Sequence, residues 1–105
     1  RTSYLFEALG LSYLVYNGAT RSFELYDKPV TLRLYEDVLY YLRIEDQDAI
    51  IHFEKISTDT QYYVDEANLS FVWSTYSDCK FYTFCLRFKE PADFSSFRKA
   101  YVELC

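Results

Sequence analysis

Methionine is absent from this 105-residue chain, and glycine and proline occur only twice each. Phosphate cradles are built from closely spaced glycines, so Gly10 and Gly18 cannot make a Walker-type or dinucleotide-binding loop. So little glycine and proline also leaves no linker or low-complexity stretch, and no internal repeat is present. The apolar stretches fall well short of the roughly 18 residues that a membrane span needs, and no segment has the pattern of a signal peptide. Basic residues are in deficit, 11 against 16 acids, for a net charge of −5. The imbalance concentrates in residues 36–66, which hold nine acids and two bases. Phosphate contacts need Lys and Arg, so nucleic acid is not an expected partner. An anionic membrane surface would find no basic cluster, which makes phosphoinositide binding an unfavoured reading.

Catalytic equipment is equally sparse. His52 is the only histidine, and no metal-ligand spacing or adjacent nucleophile surrounds it. It reads as a structural or solvent-facing residue. Glu45, Asp46 and Asp48 suggest a calcium loop only superficially, because the glycine and the closing glutamate of an EF-hand are missing. They read as a solvated turn. Cys79, Cys85 and Cys105 match no zinc or redox spacing. Cys79 and Cys85 lie on one turn and strand, about 20 Å apart if extended, against a disulfide limit of about 7 Å between Cα atoms. A bridge to Cys105 stays open. The simplest reading is three free thiols in a reducing compartment, hence a cytoplasmic protein, with the nucleus as the alternative. No catalytic residue, metal or cofactor is expected, and an enzyme is the least favoured class.

What the chain has in abundance is aromatic side chains: 12 Tyr, 9 Phe and one Trp. With half its residues hydrophobic, it can offset the entropy of ordering, so disorder is ruled out. Tyr, Phe and β-branched residues suit a pleated, half-buried surface. The pattern predicts about seven short strands. Residues 3–9 and 11–16 read as a long strand or bent pair with a bulge at Gly10, and Asn17-Gly18 as a hairpin turn. Further strands fall at 22–26, 30–35, 39–45, 49–56, 69–75 and 80–88. Turns fall at 27–29, 36–37, 45–48 and 77–79. Residues 57–68 read as the longest loop, with at most a short strand at 61–64. After Pro91 the period changes: Phe94, Phe97, Tyr101 and Leu104 make one apolar stripe on a helix. The expected class is α+β, mainly β: an antiparallel roll capped by a C-terminal helix. The chain opens at Arg1 without methionine and stops at Cys105 inside the helical pattern. It therefore reads as one domain, residues 1–105, of a longer protein.

Alternation separates core from surface. Phe71, Trp73, Phe88, Phe94, Phe97 and Tyr101 are assigned to the core. Tyr26, Tyr35, Tyr41, Tyr62, Tyr63 and Tyr76 cannot all face inward. Tyrosine offers large contact area at low entropy cost, so these six are the candidate partner-binding residues, with edge packing as the competing reading. Arg43 and Arg87 should point outward and pair with the domain's own acids.

Particular stretches resemble a known family. Phe71-Val72-Trp73, Arg87-Phe88 and the spaced Phe94 and Phe97 are similar to the closing half of Ran-binding-type pleckstrin-homology-like domains. Leu5-Phe6-Glu7-Ala8, then Tyr13-Leu14 and Tyr16, resemble the family's opening. A closer resemblance is to the pleckstrin-homology-like domain of the fungal vacuolar import and degradation protein 27 family. It rests on Phe23-Glu24-Leu25, Tyr40 to Ile44, Leu69 to Trp73 and Leu86 to Lys89. The resemblance implies a pleckstrin-homology-like roll and a non-catalytic interaction or scaffold role. The partner would be a protein, a peptide or other domains of the same chain, bound on a sheet edge or beside the helix. It also implies a parent chain with a WD40-like propeller, acting in vacuolar import and degradation. Ran or another small GTPase is the alternative partner. However, the basic, glycine-containing stretch typical of Ran binders is replaced here by Glu24 to Val30. Oligomeric state is not legible.

Overall fold

The computed structural model describes residues 3–47 and 49–104. Eight strands precede one helix: β1 Ser3–Asn17, β2 Ser22–Leu25, β3 Val30–Asp37, β4 Leu39–Asp46, β5 Ala49–Lys55, β6 Gln61–Asp65, β7 Ser70–Ser77, β8 Lys80–Arg87 and α1 Pro91–Leu104. All pairings are antiparallel, and the strand order is β5-β4-β3-β1-β8-β7-β6, with β2 also on β1.

β1 is the spine. Its first half pairs with β3, from Ser3↔Glu36 to Leu11↔Val30. Its second half pairs with β8, from Ser12↔Arg87 to Val15↔Phe84, and carries β2 on its other edge. The changeover sits at Gly10, which has φ +72°, and the register with β3 slips between Ala8 and Leu11. Only glycine takes that conformation without strain. The sheet thus folds back on itself as two halves, and the expected bulge is present.

Each half turns one face inward. On β3 and β4, Val30, Leu32, Leu34, Leu42 and Ile44 are buried; on β7 and β8, Phe71, Trp73 and Leu86 are. The helix closes the remaining open end. Phe94, Phe97 and Tyr101 form its buried stripe, as the spacing predicts. The Phe97 ring lies 5.7 Å from Phe6 of β1, 4.9 Å from Phe71 of β7 and 5.4 Å from Phe88. It therefore contacts both halves at once. Pro91 opens the helix where its missing N–H costs nothing.

The turns show where local signals were misleading. Asn17-Gly18 does not make a two-residue hairpin. β1 and β2 are joined by four residues, and the Asn17 side-chain oxygen accepts from the N–H groups of Ala19 and Thr20. Arg21, not Gly18, takes positive φ. The tight two-residue turn is Asp78-Cys79, with φ +52° and +64°, matching the twist of the flanking strands. Glu36 and Asp37 stay in β3, and the reversal falls on Val38 at φ +65°. Residues 57–68 contain a full strand, β6, because Val64 pairs with Phe71 and Tyr62 with Trp73 on the core side. Burial on one face outweighs the polar character of that segment.

Two substitutions test this scheme by urea unfolding. Gly10→Ala should cost about 1 kcal/mol from backbone strain alone, because a methyl there meets only Lys89 Nζ at 3.9 Å. Phe97→Ala should cost about 3–5 kcal/mol and remove the ring that touches Phe6, Phe71 and Phe88 together.

Candidate protein-interaction surface

Inside the fold, Tyr13, His52, Glu54 and Trp73 form a connected polar network. The Tyr13 hydroxyl meets His52 Nδ1 at 3.1 Å, and His52 Nε2 meets Glu54 Oε1 at 2.8 Å. Trp73 Nε1 donates to the same carboxylate at 3.0 Å. A carboxylate only accepts, so Nε2 carries the hydrogen in that bond, and in the neutral imidazole Nδ1 accepts from Tyr13. The imidazole packs edge-on against Phe84 at 4.4 Å and Trp73 at 5.5 Å. His52 is therefore a structural link between β5 and the second half. Burial pushes the Tyr13 hydroxyl up, and the Glu54 charge adds to this. Burial would also raise the Glu54 carboxyl, but hydrogen bonds from His52 and Trp73 outweigh it and hold the group below its ordinary value.

The outer face of the first half carries its own cluster of ion pairs. Arg33 bridges Glu7 at 2.8 Å and Glu45 at 2.7 Å, and Arg43 lies 2.6 Å from Glu45. Arg43 also donates to the Tyr4 hydroxyl at 2.8 Å. Both guanidinium groups sit over the Tyr4 ring, at 4.9 and 5.6 Å. Tyr35, Tyr41 and Phe53 stack beside them, with centroids 5.1–6.0 Å apart. Arg43 thus pairs with the domain's own acid, as expected, whereas Arg87 donates to Ser70 Oγ at 3.1 Å.

A concavity of about 400 Å³ lies beside the β1 bend, lined by Gly10, Lys28, Pro29, Val30, Thr31, Asp46 and Gln47. Tyr26 donates to Asp46 at 2.8 Å, and Lys28 lies 3.7 Å from the same carboxylate. Of the acidic-turn residues, Glu45 and Asp46 therefore have partners within the fold; Asp48 lies outside the described residues. Cys79 is a free exposed thiol and Cys85 a free buried one, which burial pushes up; Cys105 lies outside the described residues.

The three terminal strands differ in how open their edges are. β5 points His52 and Glu54 inward, and its pairing with β4 slips between Ile44 and Glu45. Inward charges and irregularities both discourage further pairing. β2 is four residues long and runs into Asp27-Lys28-Pro29. β6 has neither device: its register with β7 is regular from Gln61↔Ser74 to Asp65↔Ser70, and its only charge is at its end. α1 runs alongside. Tyr62 stacks on Phe71 at 5.3 Å and meets Tyr101 of α1 edge-on at 5.5 Å. Arg98 of α1 donates to Glu66 at 2.8 Å, just past β6. The helix carries a shallow depression lined by Ser95, Arg98, Lys99, Val102 and Glu103.

The six candidate tyrosines do not converge on one surface. Tyr62 and Tyr63 share the β6 edge, on opposite faces. Tyr76 stands exposed at the far end of β7. Tyr35 and Tyr41 belong to the arginine lattice, where Tyr35 is buried rather than open. Tyr26 is committed to Asp46. The six core assignments are all buried. What the sequence did not single out is the β6 edge itself, whose signal was confined to the Tyr-Tyr-Val alternation at 62–64.

A bent antiparallel sheet closed at one end by a C-terminal helix is the pleckstrin-homology-like fold. The model of the VID27 PH-like domain family matches residues 7–105, and the chain belongs to that family. Two crystal structures of the Ran-binding domain of the nuclear pore complex component Nup2 from Ashbya gossypii share the fold. One has a TM-score of 0.81 at 16% identity, covering 97% of this chain and 95% of that one. The other has 0.78 at 18% identity, covering 98% and 94%. No curated protein matches the sequence.

The depressed Glu54 carboxyl has a pH consequence. A folded value below the ordinary 4.5 stabilises the protein above that pH, and the contribution disappears as pH falls through the folded value. Asp65 is lowered too, by its hydrogen bond from Asn68. Denaturation of wild type and Glu54→Gln from pH 7 to about 3 isolates Glu54: the variant should start less stable and lose less on acidification. Parallel curves would show that the network does not hold the charge.

Proposed function

We propose that the chain is a non-catalytic protein-interaction domain that takes an extended peptide segment as an added strand along β6, beside α1. The observation that carries this is the contrast among edges: β5 and β2 have features that discourage pairing, and β6 has none. An added strand gains affinity from main-chain hydrogen bonds and specificity from alternate side chains. Here one set of side chains would meet Tyr62 and the flank of α1, and the other Tyr63. Arg98 and Lys99 on that helix favour an acidic residue in the segment. The segment belongs to another protein or to another part of a longer parent chain. Family membership supports a role in vacuolar import and degradation, in the cytoplasm or nucleus.

Selection of displayed random 12-residue peptides against the domain should return sequences with apolar residues at alternate positions and an acid nearby. Their binding should perturb the β6 backbone amides and weaken about tenfold in Arg98→Glu/Lys99→Glu. Recovered peptides that perturb other strands, or no recovered peptides, would count against strand addition.

Ran is the second reading, favoured by the two structural neighbours. Against it stands the acidic Glu24 to Val30 stretch, where the resemblance calls for basic residues and glycines. A pull-down with GTP-loaded Ran should be negative; retention of Ran by the domain would make this the leading function.

A further inference from the structure

Strand pairing determines which side chains share a face. On the second half, Val72, Cys85, Leu14 and Leu25 follow Tyr63 in one row across five strands, through the pairs Tyr63↔Val72, Val72↔Cys85, Leu14↔Cys85 and Leu14↔Leu25. This row faces away from the core, because its neighbours Tyr13, Leu86 and Phe71 face inward. The pairs Tyr16↔Phe23 and Tyr76↔Phe81 lie on the same outer face. Both pairs make edge-on ring contacts, at 5.3 and 4.9 Å. Six large side chains stand proud of this face: Tyr63 at 67% exposure, Phe81 at 69%, Leu25 at 64%, Tyr76 at 61%, Tyr16 at 40% and Phe23 at 39%.

Large side chains of this kind each present about 150–250 Å², so the six together expose on the order of 600 Å². That reaches the upper end of what a monomer's largest apolar patch shows, about 300–600 Å². With the smaller residues between them it approaches the roughly 800 Å² per partner of a standard interface. Five strands at about 4.8 Å spacing make the face about 19 Å wide. Its centre needs no further partner: Ser74 and Thr83 hydrogen-bond each other at 2.8 Å.

Charge points to the occupant. No charged side chain lies among the six, and the row at one margin holds one of each sign, Asp65 and Arg87. The molecule carries −5 overall, with its acids concentrated in residues 36–66. A basic partner would be drawn to that stretch and would find no complementary charge on the neutral face. Two identical acidic molecules repel each other least through a face with almost no net charge. A two-fold axis would bring the same aromatic patch against itself, sheet on sheet. We infer that this outer face is the contact surface between two copies of this chain.

Sedimentation velocity under reducing conditions, from about 1 to about 300 μM, tests this. The mass should rise from 12.6 kDa towards twice that value. Phe81→Lys and Leu25→Lys, at two separate and exposed positions, should each raise the dissociation constant at least about tenfold. Their near-ultraviolet circular dichroism should remain that of wild type, whereas Val102→Lys on the helix should leave association unchanged. A 12.6 kDa monomer throughout the range, or association that survives both face variants, overturns the inference. Phe81 and Leu25 lie away from the β6 edge, so loss of self-association with retained peptide binding separates this interface from strand addition.

Discussion

Everything in this fold depends on one strand serving two sheets. β1 pairs with β3 as far as Leu11 and with β8 from Ser12 onward, so the two halves are joined by main-chain hydrogen bonds rather than by side-chain packing alone. That arrangement requires a sharp change of direction in mid-strand, and a positive φ is the cheapest way to achieve it. The bend leaves an opening that the sheet cannot close. An aromatic helix closes it, with Phe97 bridging the first half through Phe6 and the second through Phe71 and Phe88. Bend and plug are complementary: without the bend there is no cavity for the helix, and without the helix the opening would expose rings from both halves.

The same constraint explains why the polar interior is so self-contained. Where β5 approaches the second half, no main-chain pairing joins them among the described residues. Tyr13, His52, Glu54 and Trp73 supply that connection in a chain of hydrogen bonds. A buried network of this kind is favourable only when every member has a partner, and these four do. The arginine lattice on the first half follows a similar rule at the surface, with each guanidinium answered by a carboxylate or a tyrosine. Groups engaged in this way are poorly placed for catalysis, which shifts attention to surfaces that lack internal partners.

Much of this was legible in the sequence, and what was not has physical reasons. Alternation at 69–75 placed Phe71 and Trp73 in the core correctly, because one-sided burial imposes a period of two. The Phe94, Phe97, Tyr101 stripe gave the helix for the corresponding reason. Asn17-Gly18 misled because the Asn side chain can cap a longer loop as readily as it can sit in a two-residue turn. Val38 gave no signal at all, since a β-branched residue rarely adopts positive φ. The tyrosines were harder still. Counting them showed that some must face outward, but only the register shows that Tyr35 lies under an arginine while Tyr63 stands clear.

Register also changes what the aromatic surplus means. A sheet that packs a helix on one side usually offers water a polar outer face, giving clean alternation along each strand. β8 does not follow this. Phe81 sits outward while Phe84 and Leu86 sit inward, and β2 places Phe23 and Leu25 outward within four residues. Exposed rings weaken the alternation that specifies register, so a sheet with rings on both faces risks slipping by one residue. Here the tight Asp78-Cys79 turn and the bend at Gly10 fix register independently of the outer face. The outer face is therefore free to be apolar without endangering the fold, and contact with another molecule is the physical benefit that such a face provides.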